Sequence, residues 1–371
     1  MSYQFFCLIQ NLGTLRTILA IAVVVYHSYK IFGLRMCGGQ VAVESFYMIS
    51  GFYMAMILNE KYTGSGNYKR FILSRAFRIF PVYWLILILA AIFSLVGYFG
   101  WGQSYYLFRY INHHACLSPL TICYFILENV MVLGQDILYF MRLDEGCRPV
   151  LTYNVLSYKH TGYQYLLVPQ AWTISIEFMF YLIAPFLVRK EITWQVLLAL
   201  AGFGAKYYFS TKHYLSFDPW TYRFFPFELA FFLSGSICYR VYLWLRDKNI
   251  PDVFGNMLLV LTITTILFYD EIICEAATKN FFFYLFVFAA IPFIFKALKN
   301  NKADRFIGEL SFSIYISHHI VVSLFRTYFF ENTHLIAFYG YAVVSVSILF
   351  AIGLYWILIR NVEKYRRKSF S

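Results

Sequence analysis

Charge is scarce in this sequence: 13% of its 371 residues are Asp, Glu, Lys or Arg, against roughly 25% in soluble proteins. That scarcity excludes a water-soluble globular enzyme. Acidic residues are fewer still, 19 against 31 Lys and Arg, giving a formal charge of +12. In a cytosolic protein such a balance would suggest nucleic acid, but in a membrane protein basic residues are read first for orientation, so no nucleic-acid partner is expected. Cysteine is sparse and unpatterned. Its seven copies, at 7, 37, 116, 123, 147, 238 and 274, show neither CxxC nor a Cys/His zinc spacing, so neither a redox motif nor a metal site is expected. The first ten residues lack the basic stretch and small-residue cleavage site of a removable signal peptide. Low-complexity segments are missing, as are internal repeats and the paired Gly/Pro-broken helices of an inverted-repeat transporter.

What is abundant is apolar: 60% hydrophobic and 22% aromatic residues, with a mean hydropathy of +0.60. Windows long enough to cross a bilayer predict about ten transmembrane helices, at 12–30, 40–59, 79–99, 169–188, 192–209, 223–245, 253–270, 280–297, 306–330 and 335–359. An eleventh window, 119–140, carries Glu128, Asn129, Gln135 and Asp136, groups that are expensive at bilayer depth. Placement of basic residues decides it. With 119–140 not spanning and both termini cytoplasmic, the inner loops hold 19 Lys and Arg in 60 residues and the outer segments 10 in 112, as the positive-inside rule requires. The expected fold is therefore an all-α polytopic membrane protein with both ends cytoplasmic. One transmembrane domain would cover 1–371, with 100–168 a long extracytoplasmic or membrane-surface segment and no appended soluble domain.

Ionisable residues within apolar helices are functional candidates by default. Arg16 and His27 are 11 residues apart; at 100° per residue they share one helix face, roughly 16 Å apart along it. A polar lane through the bilayer follows. The bland reading has Arg16 snorkelling to headgroups and His27 bonding a backbone carbonyl. Glu44 lies in the second window, and Ser50-Gly51 is read as a small pair that lets another helix approach. Glu177 sits in mid-helix, and Arg70, Arg75 and Arg78 occupy a basic inner loop before Pro81. Trp101, Tyr105, Tyr106, Tyr110, Tyr207, Tyr208, Phe217, Trp220 and Tyr222 cluster near outer boundaries, where aromatic belts or sugar stacking would place them. Cys37, Cys116, Cys123, Cys147 and Cys274 also fall outside, where a disulfide could form. Spacing names no pair.

Five segments in order carry a resemblance. LRTILAIAVVVYH at 15–27, VAVESFYMISGF at 41–52, RFILSRAFRIFPVYW at 70–84, AWTISIEFMFY at 171–181 and SFSIYISHHI at 311–320 together resemble the membrane-bound acyltransferase-3 family, which O-acylates bacterial surface and secreted glycans. Thr17 and Ser45 depart from its pattern without removing a chemical group. The resemblance implies an integral-membrane O-acyltransferase in the bacterial cytoplasmic (inner) membrane, moving an acyl group, expected to be acetyl, from cytoplasmic acetyl-CoA to a hydroxyl of a glycan or lipid-linked glycan. It implies His27, Glu177 and His318 as catalytic residues, Arg16, Arg75 and Arg78 as ligands of the coenzyme's phosphates, and Glu44, Trp172 and Tyr315 at the substrate.

The chemistry agrees. Acyl transfer needs a base for the hydroxyl proton, donors for the developing oxyanion and cations for the donor's phosphates. An unperturbed imidazole titrates near 6.5, which suits His27 to the base. Glu177 is expected to orient His27 or His318, or to shuttle a proton. His318 and His319 point about 100° apart on a helix, so only one is expected at the site, and the resemblance selects His318. Two alternatives stay open: transfer of succinyl or a longer acyl chain to a small-molecule or lipid acceptor, and a proton-coupled transporter or flippase using the same buried His and Glu.

Overall fold

A computed structural model describes residues 11–64 and 66–370; the signal-peptide expectation falls on residues outside this range. Apolar windows become helices because backbone groups in lipid can be satisfied only within their own segment. The helices are α1 (Gly13–His27), α2 (Gly38–Glu60), α3 (Asn67–Trp101), the short α4 (Phe108–Asn112), α5 (Pro119–Met131), α6 (Trp172–Leu187), α7 (Ile192–Lys212), α8 (Phe225–Leu245), α9 (Asp252–Leu267), α10 (Ala276–Leu298), α11 (Lys302–Glu331), α12 (Ile336–Leu354) and α13 (Arg360–Phe370). A π-helical stretch, Tyr355–Ile359, joins the last two. All ten predicted windows coincide with helices. Among the described residues, six are long and apolar enough to cross a membrane: α2, α3, Pro169–Leu187, α10, α11 and Thr333–Arg366. The protein is an all-α membrane protein.

Helix α2 is its axis, buried along nearly its whole length and flanked by α1, α6, α8 and α10. Two glycines make a tight crossing of α2 and α8. A Cβ on Gly51 would stand 1.9 Å from the Phe232 carbonyl oxygen, and one on Gly235 would stand 1.8 Å from that of Met48. Each helix thus seats its glycine against the other's backbone, the close approach that small residues permit. For Gly51 the packing expectation holds; Ser50 instead turns to a carboxylate described below.

One feature differs from the sequence expectation and a second sharpens it. The basic residues before Pro81 are not in a loop, since α3 is one 35-residue helix running through Pro81. Arg75 and Arg78, three residues apart, therefore share a helix face instead of a flexible link. Next, the polar groups of 119–140 point inward. Helix α5 has 13 residues, about 20 Å of helix, well short of the roughly 30 Å of hydrocarbon. Its Asn129 donates to the Phe125 and Tyr165 carbonyls at 2.8 and 2.9 Å and accepts from the Leu167 amide at 2.8 Å. Gln135 donates to the Tyr83 hydroxyl at 3.0 Å, and Asp136 accepts from Ser175 at 2.6 Å. These bonds fasten the segment to α3 and α6.

A hairpin follows, with β1 (Met141–Leu143) antiparallel to β2 (Pro149–Leu151) and Arg142 opposite Val150. The Cys116–Cys147 disulfide ties it to the chain before α5. Burial, and then the nearby Asp136, raise the Glu128 carboxyl to about 7. A raised folded pKa means that the folded state binds the extra proton, so stability should fall as pH rises from about 4.5 to 7. Thermal melts of the detergent-solubilised protein should show that slope flattened in Glu128→Gln.

Candidate functional site

Two cavities lie back to back in the bundle and share Val43 and Tyr315 in their walls. The first, of about 120 Å³, is lined by Arg16, Arg75 and Arg78 together with Glu177, Glu309 and Glu363; we call it the basic cavity. Arg75 is 2% exposed, and its Nε is buried without a hydrogen-bond partner. The Arg16 guanidinium stands 6.0 Å from the Tyr53 ring centroid. Glu177 accepts from the Ser50 hydroxyl at 2.7 Å and from the Tyr181 hydroxyl. These two donors, from α2 and from one turn further along α6, satisfy a carboxylate that would be costly if left bare in lipid.

The second cavity, of about 270 Å³, is lined by His27, His319, Trp172, Tyr26, Tyr163 and Arg223, among others. His27 ends α1, and its Nδ1 lies 2.9 Å from the Val23 carbonyl. Donation there fixes the tautomer and leaves Nε2 unprotonated to accept a proton. His318 repeats the device, with Nδ1 2.5 Å from the Tyr315 carbonyl and Nε2 buried and unpartnered. Ring centroids of His27 lie 5.0 Å from His318 and 4.7 Å from His319. The three imidazoles offer ligand atoms all within 4.8 Å of one another, a grouping able to hold a metal ion. Spacing could not suggest it because the ligands come from opposite ends of the chain.

Between the cavities stands Tyr315, 8% exposed. Its hydroxyl donates to the Gln170 carbonyl at 3.2 Å and lies 2.9 Å from Thr173 Oγ1.

The nine residues singled out by sequence are thus placed as follows. Arg16, Arg75, Arg78 and Glu177 line the basic cavity, His27 and Trp172 line the other, Tyr315 lines both, and His318 packs on His27. Glu44 lines neither cavity. It is wholly buried, 2.5 Å from Lys206 Nζ and bonded by the Tyr284 hydroxyl, with Glu228 on the same lysine at 3.0 Å. Lys206, near the end of the predicted window 192–209, stands within α7, and a buried carboxylate takes the nearest cation.

Two further expectations change. Glu177 does not hold either histidine; backbone carbonyls do. Nor is His319 outside the site. Neighbouring side chains diverge by about 100° at the backbone, but His27 sits over the seam between them, so both long imidazoles reach it. Sequence reasoning gave Ser50 only a packing role and passed over Tyr181, Arg223 and the Glu309 and Glu363 walls, which carry no spacing signal.

Residues 9–356 match the model of a family described as "Acyltransferase domain". The chain belongs to this acyltransferase family. Among curated proteins it is similar to one from Staphylococcus aureus strain COL named "Putative O-acetyltransferase", 22% identical over 92% of this chain and 55% of that one. A protein of the same name from strain MSSA476 matches equally, at 22% identity over 92% and 55%. The chain therefore spans about half the length of the curated relatives it matches. No solved structure matches it.

Proposed function

We propose that the protein is an integral-membrane O-acyltransferase that moves an acetyl group from cytoplasmic acetyl-CoA to a hydroxyl of a cell-surface or secreted glycan. The observation that carries this is the pair of cavities meeting at Tyr315, one holding three arginines among three glutamates and the other walled by histidines and aromatic rings. In this reading the ten windows are ten spans of a bacterial cytoplasmic membrane with both termini inside, and the basic cavity faces the cytoplasm. The Cys116–Cys147 disulfide lies in the same 100–168 segment that supplies Tyr139, Val155 and Tyr163 to the histidine cavity, and it suits an oxidising exterior. Arg16, Arg75 and Arg78 hold the donor's phosphates and pantetheine end. The thioester carbonyl reaches past Tyr315, His27 Nε2 takes the acceptor's hydroxyl proton, and the hydroxyl oxygen attacks the carbonyl carbon. As the C–S bond breaks, the proton goes to the thiolate, leaving an acetyl ester and free coenzyme A.

The purified protein should release coenzyme A from acetyl-CoA in an acceptor-dependent way. A transporter or flippase would consume no thioester, and that outcome would overturn the reading. Arg75→Lys and Arg78→Lys keep a charge but lose the guanidinium fork. Donor affinity, measured by calorimetry with coenzyme A, should fall roughly ten-fold in each, the size of one charge-assisted bond; unchanged binding in both would make these residues orientation signals only. Sidedness has its own check. With exposed Cys123 and Cys274 replaced by serine, a membrane-impermeant thiol reagent should label Ser157→Cys in intact cells but neither Lys69→Cys nor Lys364→Cys. External labelling of position 364 would sink the ten-span topology.

A further inference from the structure

Acyl transfer as described gives Arg223 no task, yet few side chains in the protein are held more firmly. It precedes α8, lines the histidine cavity and is 8% exposed. Its guanidinium lies 4.0 Å from the ring centroid of Tyr139, 4.1 Å from that of Trp172 and 4.7 Å from that of Tyr222. One edge is taken by Asp218, with Nε donating to Oδ1 at 2.6 Å and Nη2 to Oδ2 at 3.0 Å; Nη2 also donates to the Tyr222 hydroxyl at 2.9 Å. What remains is Nη1, buried and without a hydrogen-bond partner. Burying an N–H pair with nothing to accept it costs free energy. Here the side chain cannot swing out to water, because three rings and a carboxylate hold it. Such a group is a pre-organised donor whose ordering cost is met before any ligand arrives.

We infer that Nη1 of Arg223 is the recognition point for the acceptor, donating to the oxygens of an uncharged pyranoside ring that stacks on the aromatic walls of the histidine cavity. This rests on the acyl-transfer reading and deepens it. Among the described residues lining this cavity, the charged pair is Arg223 and Asp218, and the two cancel. A carboxylate drawn to Nη1 would approach the carboxylate already on the opposite edge of the same guanidinium, whereas a hydroxyl or ring oxygen accepts the bond without adding charge. Tyr163 and Trp172 line the same space, and such rings present the flat apolar faces a sugar ring packs against.

The test is saturation-transfer NMR on the full-length purified protein, with methyl glucoside, galactoside, mannoside and N-acetylglucosaminide and the matching uronides as probes. Neutral glycosides should bind more tightly than their uronides. Arg223→Lys should weaken neutral binding roughly ten-fold, and in turnover the loss should fall on the acceptor KM more than on kcat. Asp218→Asn, which keeps the shape and removes the opposing charge, should narrow or reverse the preference against uronides. It serves as an independent check should the arginine variant fail to fold. Tighter uronide binding by the native protein, binding unchanged in both variants, absence of any glycoside binding, or a loss confined to kcat would each overturn the inference. Failure of the parent reading would look different: no coenzyme A release with any acceptor, whatever Arg223 does.

Discussion

His27→Ala should lower acyl transfer by roughly 10²–10⁴-fold, the share of a rate that a well-placed general base supplies. The reason is geometric. His27 commits Nδ1 to the Val23 carbonyl and faces the second cavity, so Nε2 is a lone pair held still where the acceptor's hydroxyl would arrive. His27→Gln should fare no better, since an amide at that position can accept a hydrogen bond but not a proton at neutral pH. Donor binding should survive both changes because the arginines line the other cavity, beyond Tyr315. Coenzyme A calorimetry alongside initial rates separates the two. Near-native transfer by a properly inserted His27→Ala protein would move the base to His319, which lines the same cavity.

An effect of comparable size, on folding instead of chemistry, is expected at the crossing of α2 and α8. Gly51→Val would place a branched side chain where even a Cβ lies 1.9 Å from the Phe232 carbonyl oxygen. The obstacle is helix backbone, which cannot rotate aside as a side chain can. The two helices must separate, and Gly235, seated on the Met48 carbonyl in the same interface, would lose its contact as well. Overpacking of a core typically costs about 1–3 kcal/mol, and a helix-wide separation exceeds it. The monodisperse fraction on size-exclusion chromatography should fall steeply. Gly353→Ala, where nothing lies within 4 Å of the added carbon, should leave it unchanged. Similar profiles for the two variants would refute the packing argument.

Much of this architecture was legible in the sequence, for identifiable reasons. Apolar length predicts helices because lipid leaves the backbone no other choice, and the 20° offset between Arg16 and His27 puts them on one lane of α1. What the arithmetic could not give is Tyr315, which divides that lane into two compartments and comes from α11, some 290 residues away. The same limit explains Glu44. Its burial cost was evident from its window, but Lys206, its partner, is recognisable only once α7 is known to carry it inward. Some basic residues carry a second role that the sequence did not show. Arg189 donates to the Leu58 carbonyl at 3.2 Å, Arg240 to that of Val188 at 3.3 Å and Lys296 to that of Leu245 at 3.0 Å. They therefore also cap carbonyls where α2, α6 and α8 end, as cations near helix C-termini do.

The wall at Tyr315 has a consequence for energetics. Under the proposed function, a transfer between the two cavities would send an acetyl group one way and return a single hydrogen, now on the coenzyme's thiol, the other way. On that reading the acceptor would be as uncharged after acylation as before and the coenzyme would keep the same phosphates, so net charge on each side of the bilayer would be unaltered by a turnover. An inside-negative potential, worth about 2.3 kcal/mol per charge per 100 mV to any process that moves charge, does no work on the equilibrium. The driving force would be the difference between thioester and oxygen ester alone, and collapsing the potential across proteoliposomes should leave the extent of acylation where it was.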